Sequence, residues 1–439
     1  MSSLIFTICA KNYVGLAKVL ENSVAKHGAD VDFRIYVADG IGTDIAASDG
    51  VVSASVALEP YIDAIEFANM AFMYNITEFC TSLKAACFMH AFADGYDKCV
   101  YMDPDTFLTA GAEHILRELD DSAILITPHL CVPSAIDGPR ADRGILATGV
   151  YNLGFIGLRS AIETTQFLNW WHVRLRRQAF NDHYNALYTD QRWIDFVPTL
   201  FSSKAVKIWR HLGCNVAPWN YHEREIIVRE DAFLVMSRSS RTEDDETVPL
   251  IFLHFSGFDF RKIIGGKFSQ LNLSDAEHYT DLKPVYEAYA KAISECANDM
   301  SRYLSIPYGF ESFANGMQIL PSHRRLFRVW LERHGFAADP FGVGAKSFYA
   351  ALAMRGLLGK SGATDLAMDK ATTRSVANPD RLLARARMGL RLLFKLAGRS
   401  RFFFLVRSLN RLSHVEQHYD TFCLDQAEIM PANVKSNVF

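Results

Sequence analysis

Residues 100–109, VYMDPDTFLT, place two carboxylates directly after a short apolar run that is typical of a buried strand. A single proline separates Asp103 from Asp105; it favours a turn that directs both side chains toward one ligand. Two hard oxygen donors suit Mg²⁺ or Mn²⁺, which takes one or two protein carboxylates and fills its other positions with phosphate and water. Because Asp-Pro-Asp is also a common turn sequence, these ten residues leave a metal site and a plain turn as alternatives.

The same stretch resembles the DxDxT signature of haloacid dehalogenase-like phosphatases. That resemblance would make Asp103 a nucleophile and Asp105 a general acid-base. In that family the motif follows the first strand, whereas here about a hundred residues of strand and helix precede it. The acidic stretch at 242–246 falls in a polar loop rather than at a strand end. The phosphatase interpretation is therefore the weaker alternative.

The elements around the motif alternate between strand and helix patterns. Apolar runs at 4–10, 31–39, 98–103 and 123–128 predict strands, and residues 12–28 predict a helix with an apolar face. This alternation predicts an α/β fold with a mainly parallel sheet and helices on both faces. Such sheets bind ligands at the carboxyl ends of their strands, where Asp39 and Asp103 would lie.

Several motifs occur in an order that resembles the GT-A class of nucleotide-sugar glycosyltransferases, related to family eight. They are TICAKNY (7–13), YVAD (36–39), YMDPD (101–105), YNLGFIG (151–157), TDQRWID (189–195) and HFSGFDFRK (254–262). The resemblance covers residues 1 to about 260 and implies a Rossmann-like GT-A domain. It departs from family eight after Gly257, where Phe-Asp-Phe-Arg-Lys replaces Lys-Pro-Trp, and after Gln191, where Arg-Trp follows.

The resemblance implies a set of residues for the metal and the nucleotide. The DxD pair, Asp103 and Asp105, would bind the metal with His254 as third ligand, although a lone histidine after a strand is also a common core residue. Gly257 would let the backbone approach a phosphate, and Arg261 or Lys262 would neutralise it. The remaining nucleotide-binding residues implied are Thr7, Lys11, Tyr13, Asp39 and Lys84.

Three further residues are expected on the sugar side of the site. Gln191 has no titratable proton, and its carbonyl can stabilise a developing oxocarbenium ion. Asp190 would hydrogen-bond sugar hydroxyls or simply cap the helix that it begins. Asn152 would contact the donor sugar or the acceptor, unless Asn-Leu-Gly is only a turn.

The second half of the chain changes character after the last strand, at 248–257. We predict a catalytic domain over 1–270, a helical extension over 271–360, a linker over 361–380 and a helical tail over 381–439. Residues 381–412 contain nine Lys or Arg and no acid, interleaved with Leu and Phe. They predict a basic amphipathic helix on an anionic membrane surface; the alternative is a helical pair packed on the main domain or on a second subunit.

Composition limits the remaining function classes. Hydrophobic residues make up 49% of the 439 residues, and the net charge of −3 argues against a nucleic-acid-binding protein. The eight cysteines form no CxxC pair, the first residues do not read as a signal peptide, and no apolar run reaches the ~20 residues that span a bilayer. We therefore expect a cytoplasmic protein, at the inner face of the membrane if the basic helix binds lipid.

The resemblance implies a bacterial glycosyltransferase of surface-polysaccharide synthesis. It would use Mn²⁺ or Mg²⁺ and a nucleoside diphosphate-sugar, with a UDP-sugar expected, to glycosylate a glycan or glycolipid hydroxyl, with retention of configuration if the likeness to family eight extends to the mechanism. An inverting enzyme would need a carboxylate base instead, for which Asp190 and Asp195 are the candidates. A catalytically silent nucleotide-sugar- or glycan-binding scaffold is the alternative from another function class.

Overall fold

The structure is a computed structural model that describes residues 2–28, 30–41, 50–133, 142–238, 247–264, 279–359 and 379–426. Nearly all of the linker predicted over 361–380, and the acidic stretch at 242–246, lie outside these ranges. The chain forms two compact units. The first contains Met1–Ala64 and Ile76–Gly309, and the second contains Ile65–Asn75 and Phe310–Phe439.

The strands all belong to the first unit. They are β1 (Ser3–Cys9), β2 (Asp32–Val37), β3 (Val51–Ser53), β4 (Lys98–Met102), β5 (Thr106–Leu108), β6 (Ile124–Pro128), β7 (Tyr151–Arg159), β8 (Asn181–Asp182), β9 (Leu187–Tyr188), β10 (Val206–Ile208), β11 (Arg224–Arg229), β12 (Ala232–Ser237), β13 (Val248–Pro249) and β14 (Phe252–His254).

The α-helices are distributed over both units. They are α1 (Val14–His27), α2 (Ala54–Ala57), α3 (Ala64–Met73), α4 (Ile76–Ser82), α5 (Lys84–Ala93), α6 (Glu113–Glu118), α7 (Asp142–Thr148), α8 (Ile162–Gln178), α9 (Val197–Leu200), α10 (Phe260–Ile264), α11 (Lys283–Glu295), α12 (Ala297–Leu304), α13 (Pro321–His334), α14 (Phe348–Met354) and α15 (Pro379–Arg411).

Within the described ranges, seven strands form the main sheet in the order β10-β6-β7-β4-β1-β2-β3. All neighbours in this sheet run parallel except β7, which is antiparallel to both β4 and β6. Every residue of β1 and β4 is buried, as expected for strands covered on both faces. The predicted α/β fold with a mainly parallel sheet is confirmed.

Alternation along β1 explains how the two faces are covered. Ile5 belongs to a core cluster with Leu20 and Val24 of α1. The next residue, Phe6, points to the opposite face and packs edge-on against Phe88 of α5, with ring centroids 4.7 Å apart. Helices therefore lie on both faces of the sheet, as predicted.

Two local structures differ from the sequence interpretation. Asn152, Leu153 and Gly154 lie inside the nine-residue strand β7, so the interpretation of Asn-Leu-Gly as a turn is wrong. The helix that Asp190 is expected to begin is a 3-10 helix, Gln191–Phe196, continued by the short α9.

The observed units also depart from the predicted boundaries. Helices α11 and α12, expected in the extension over 271–360, belong to the same unit as the sheet. Helix α12 lies so close to α1 that a Cβ on Gly15 would be 2.8 Å from the Cα of Met300. Helix α3 lies early in the chain, yet most of it belongs to the second unit.

The second unit is built from helices, which confirms the predicted helical C-terminal region. Phe72 of α3 packs its ring against Phe313, Phe327 and Phe348. Arg324 of α13 donates to the carbonyl oxygens at the end of α3, which would otherwise lack helical partners. The basic segment forms α15, with a non-helical Gly398 at φ 72° and ψ 170°. Among the described residues, no helix combines the length and apolar character needed to cross a membrane.

Candidate metal centre

The Asp-Pro-Asp stretch forms a turn, as one of the two sequence interpretations predicts, and its two carboxylates lie beside His254. The backbone N–H of Thr106 donates to the carbonyl oxygen of Asp103 at 3.0 Å and closes the turn between β4 and β5. Strand β14 then pairs antiparallel with β5, so that His254 lies opposite Thr106. This pairing brings His254 to the two carboxylates.

The three predicted metal ligands converge. The Nε2 atom of His254 lies 3.1 Å from Oδ1 of Asp105 and 3.6 Å from Oδ2 of Asp103. One ligand atom from each residue lies within 4.8 Å of the other two. His254 is buried, whereas the Asp103 and Asp105 side chains keep 27% and 29% exposure.

This donor set fits a divalent cation. Neighbouring ligands of an octahedral ion with bonds of ~2.1 Å lie about 3 Å apart, and the ligand atoms of His254 and Asp105 are 3.1 Å apart. The imidazole forms a buried floor and the partly exposed carboxylates form the open side. A cation held there would keep coordination positions for an incoming ligand.

Lys84 supplies a buried positive charge beside the carboxylates. Its Nζ atom lies 2.7 Å from Oδ2 of Asp190 and 3.9 Å from Oδ1 of Asp103, and it donates to the carbonyl oxygen of Leu153 at 2.7 Å. The ammonium also lies 4.1 Å from the ring centroid of Tyr101. The Tyr101 hydroxyl donates to Oδ1 of Asp103 at 2.5 Å. Lys84 thus links two acidic residues that are far apart in the sequence.

Burial and charge shift two pKa values in this cluster. Burial raises the pKa of Asp190, and the attraction of Lys84 opposes that shift only in part. Burial lowers the pKa of His254, but the carboxylates of Asp105 and Asp103 more than offset it, so the net shift is upward. The field at His254 therefore favours a positive charge.

The residues expected on the sugar side have buried side chains with protein partners. Oδ1 of Asn152 accepts from the backbone N–H of Gly154 at 3.2 Å and lies 3.2 Å from Nδ1 of His254. Oε1 of Gln191 accepts from the backbone N–H of Leu153 at 3.1 Å, and its Nε2 donates to the carbonyl oxygen of Thr148 at 2.9 Å. Sugar contacts of Asn152, Asp190 and Gln191 stay predictions.

Four of the residues expected to bind the nucleotide, Thr7, Lys11, Tyr13 and Asp39, lie within β1 or shortly after β1 and β2. Asp39 is buried and accepts the backbone N–H of Lys11 at 2.8 Å and that of Gly309 at 2.9 Å. Thr7 is fully buried in β1, and its hydroxyl has no hydrogen-bond partner among the described residues. Tyr13 is 37% exposed and its ring contacts Phe260 edge-on.

The predicted phosphate-binding residues follow β14. Gly257 has φ +75°, a backbone conformation that favours glycine. Lys262 of α10 is exposed, and its Nζ lies 3.7 Å from the Asp259 carboxylate one turn away. The side chain of Arg261 lies outside the described residues. Phosphate binding by Gly257 and Lys262 stays a prediction.

Sequence reasoning missed four residues that shape the centre: Tyr101, His129, Gly154 and Trp219. A Cβ on Gly154 would lie 2.3 Å from Cε1 of His254, so the glycine makes room for the imidazole. The Trp219 ring packs edge-on against both His129 and His254, with centroids 5.1 and 5.2 Å away. Tyr101 and Gly154 stand inside the motifs YMDPD and YNLGFIG, whereas no motif contains His129 or Trp219.

Comparison with solved structures finds glycosyltransferases at low identity. One, involved in the glycosylation of the major capsid of PBCV-1, aligns over 58% of this chain and 93% of its own, with 8% identity and a TM-score of 0.32. Galactosyltransferase LgtC, in complex with donor and acceptor sugar analogs, aligns over 70% and 97%, with 14% identity and a TM-score of 0.36. Mouse xyloside xylosyltransferase 1, in its apo form, aligns over 58% and 97%, with 12% identity and a TM-score of 0.33.

No family profile matches the chain, and no curated protein matches it. We therefore base its function on the chemistry of the site.

Proposed function

We propose that the chain is a metal-dependent glycosyltransferase of the GT-A type. It would move a sugar from a nucleoside diphosphate-sugar, with UDP as the expected nucleotide, to a hydroxyl of a glycan or glycolipid. The observation that carries this proposal is the convergence of Asp103, Asp105 and His254 at the carboxyl end of β4. Partly exposed carboxylates repel a diphosphate unless a cation lies between the two groups, which is the arrangement that such a donor requires.

In this proposal Asp103, Asp105 and His254 hold Mn²⁺ or Mg²⁺. The bound cation would neutralise the charge that builds on the departing diphosphate. Lys84 fixes the Asp190 carboxylate by their contact of 2.7 Å. The orphaned hydroxyl of Thr7 supports a polar ligand group near the end of β1.

We include retention of configuration in the proposal. An inverting enzyme needs a free carboxylate base, for which Asp190 and Asp195 were the sequence candidates. Asp190 is buried against Lys84. Asp195 forms an ion pair with Arg192 and accepts the backbone N–H of Val150 at 2.8 Å. Neither carboxylate is poised to deprotonate an acceptor.

A thermal-shift screen of nucleotide sugars, with and without Mn²⁺, tests the proposal. A ligand at 100 times its Kd stabilises the folded state by about 2.7 kcal/mol. We expect one nucleotide class to raise the Tm only with Mn²⁺, and Asp103→Asn to remove that shift. The selected donor is then assayed for hydrolysis and transfer; equal shifts in wild type and Asp103→Asn would contradict the metal assignment.

The same assay separates the two alternatives. A silent scaffold would show donor binding without transfer or hydrolysis. A phosphatase would instead hydrolyse p-nitrophenyl phosphate and lose that activity in Asp103→Asn. The tight contact between Tyr101 and Asp103 supports a fixed ligand role for Asp103 rather than a freely attacking nucleophile.

We also propose that α15 of the second unit lies on an anionic membrane surface. None of the described side chains between 384 and 409 is buried. Ten large apolar residues between Met388 and Leu412 are at least 40% exposed. Arg387, Arg391 and Lys395 follow at intervals of four residues and so share one side of the helix. Anionic headgroups complement this charge, whereas a second copy of the same helix would repel it.

Flotation of the full chain with vesicles tests this surface. Leu396 and Ile162 are both 77% exposed, but Ile162 lies on α8 of the first unit. We expect binding to phosphatidylglycerol vesicles and not to phosphatidylcholine vesicles. Leu396→Ser should reduce it and Ile162→Ser should not. Equal effects of both substitutions, or dimerisation without vesicle binding, would contradict the proposal.

Our proposal includes a location and a role for the protein. It would act at the cytoplasmic face of a bacterial membrane, in surface-polysaccharide synthesis.

A further inference from the structure

Behind the candidate metal centre, four polar groups form a continuous line. Nδ1 of His129 lies 3.2 Å from the carbonyl oxygen of Val150, and its Nε2 lies 3.3 Å from Nδ2 of Asn152. Oδ1 of Asn152 then lies 3.2 Å from Nδ1 of His254, whose Nε2 faces Asp105. The three side chains are each at most 6% exposed, so water does not compete for these contacts.

Two backbone groups fix the direction of every hydrogen bond in this line. The backbone N–H of Gly154 can only donate, and it donates to Asn152 Oδ1 at 3.2 Å, which orients the amide with its oxygen toward His254. Because that oxygen only accepts, Nδ1 of His254 must carry a proton. At the other end the Val150 carbonyl only accepts, so His129 donates through Nδ1 and accepts from Asn152 through Nε2.

This polarity has a chemical consequence for His254. With its proton on Nδ1, the neutral imidazole has its lone pair on Nε2, the atom that faces the two carboxylates. The other tautomer would direct an N–H at the cation. Burial lowers the pKa of His129 to about 4, so this ring is neutral near pH 7 and remains able to accept from Asn152.

We propose that His129 and Asn152 are positioning residues that hold His254 in the Nδ1–H tautomer for a divalent cation. The inference rests on the proposed function only in requiring the cation. It gives Asn152 a different role from the sugar contact expected from the sequence. Outer partners of metal-bound histidines typically change metal affinity by about 10- to 100-fold when they are removed.

Mn²⁺ binding to the full chain tests the proposal without any turnover assay. Electron paramagnetic resonance of free Mn²⁺ gives the Kd, and electron spin echo modulation detects the ¹⁴N coupling of a bound imidazole. His129→Phe keeps a ring against Trp219 but removes the acceptor, and we expect it to raise the Kd by about 10-fold or more and to weaken the coupling. His129→Gln restores an acceptor oxygen and should recover most of the Mn²⁺ affinity and most of the ¹⁴N coupling.

The outcomes distinguish this inference from the proposed function. If wild type binds Mn²⁺ without ¹⁴N coupling, or shows the same Kd and coupling as His254→Ala, the ligand set itself is wrong. If wild type shows the coupling and His129→Phe keeps the same Kd and coupling, only the positioning role is overturned. Should the variants at His129 fail to fold, long-range ¹H–¹⁵N spectra of the Mg²⁺-loaded wild type report the tautomer of His254 directly. The signal is assigned by its loss in His254→Gln. An Nε2–H tautomer would overturn the inference.

Discussion

Strands β2 and β4 are both followed by aspartates, but their surroundings differ. Asp39 is buried, and each of its carboxylate oxygens accepts a backbone N–H, one from Lys11 and one from Gly309. Asp103 and Asp105 are about a quarter exposed and face the imidazole of His254. The Asp39 carboxylate links two backbone segments, whereas the partly exposed carboxylates of Asp103 and Asp105 keep oxygens that could bind a cation.

The largest expected effect concerns Lys84, whose ammonium lies beside the acidic residues at the β4 end. Lys84→Met would leave the fully buried Asp190 without its partner, which typically costs 3–5 kcal/mol, so we expect a loss of about that size in the free energy of unfolding. Urea titration measures it. Lys84→Met combined with Asp190→Asn should recover part of the loss, and no recovery would argue against a direct pair.

The next effect separates the two strand ends by function. Asp103→Asn and Asp105→Asn should each reduce Mn²⁺-dependent turnover by about 10²- to 10³-fold, because each removes a charge that holds the cation. Asp39→Asn should leave Mn²⁺ affinity unchanged. Calorimetric titration of Mn²⁺ into the three variants compares their Mn²⁺ affinities. If Asp39→Asn lost as much affinity as Asp103→Asn and Asp105→Asn, the two strand ends would not differ in function.

Gly154→Ala tests whether the space beside His254 is required. The added Cβ would lie 2.3 Å from Cε1 of His254, so the ring must move. We expect Mn²⁺ affinity to fall by about 10- to 100-fold. Gly157→Ala is the matched control on the same strand, because its Cβ would come no nearer than 3.3 Å to any atom, the nearest belonging to the Leu119 side chain. Similar losses in both variants would indicate damage to β7 rather than to the metal site.

Asp39→Asn should lower stability modestly. An amide NH₂ would replace one acceptor and face a backbone N–H, and a buried donor left without a partner costs about 1–3 kcal/mol. Chemical denaturation at pH 7 measures this loss. An unchanged free energy of unfolding would show that the two backbone contacts of Asp39 contribute nothing.

The smallest expected effect is a pH dependence at the same residue. Burial raises the pKa of Asp39, although the N–H groups of Gly309 and Lys11 oppose the shift. The folded state therefore binds this proton more tightly than the unfolded state, and the contribution of Asp39 to stability falls as pH rises above its usual value of 3.8. The difference in unfolding free energy between wild type and Asp39→Asn should show this slope, and a slope of opposite sign would contradict it.

Much of the first unit could be predicted because its signals are local. The apolar run before Asp103 predicted β4, and the alternation of strand and helix patterns predicted a mainly parallel sheet. Strand β7 was not recognised as the antiparallel member, because Asn152 and Gly154 interrupt an otherwise apolar run. Both residues lie against His254, 100 or more residues later in the chain, so no local propensity reveals them.

The sequence by itself determined which residues could bind a metal and that strands would end near them. A strand end depends on neighbours in the chain, and the type of donor depends on the side chain alone. Only the tertiary structure decided which of those residues meet. The pairing of β14 with β5 brings His254 to carboxylates some 150 residues earlier, while Gly309, 270 residues after Asp39, takes up an oxygen of that carboxylate. Such long-range partners are fixed by the packing of the whole unit, which no short stretch of sequence encodes.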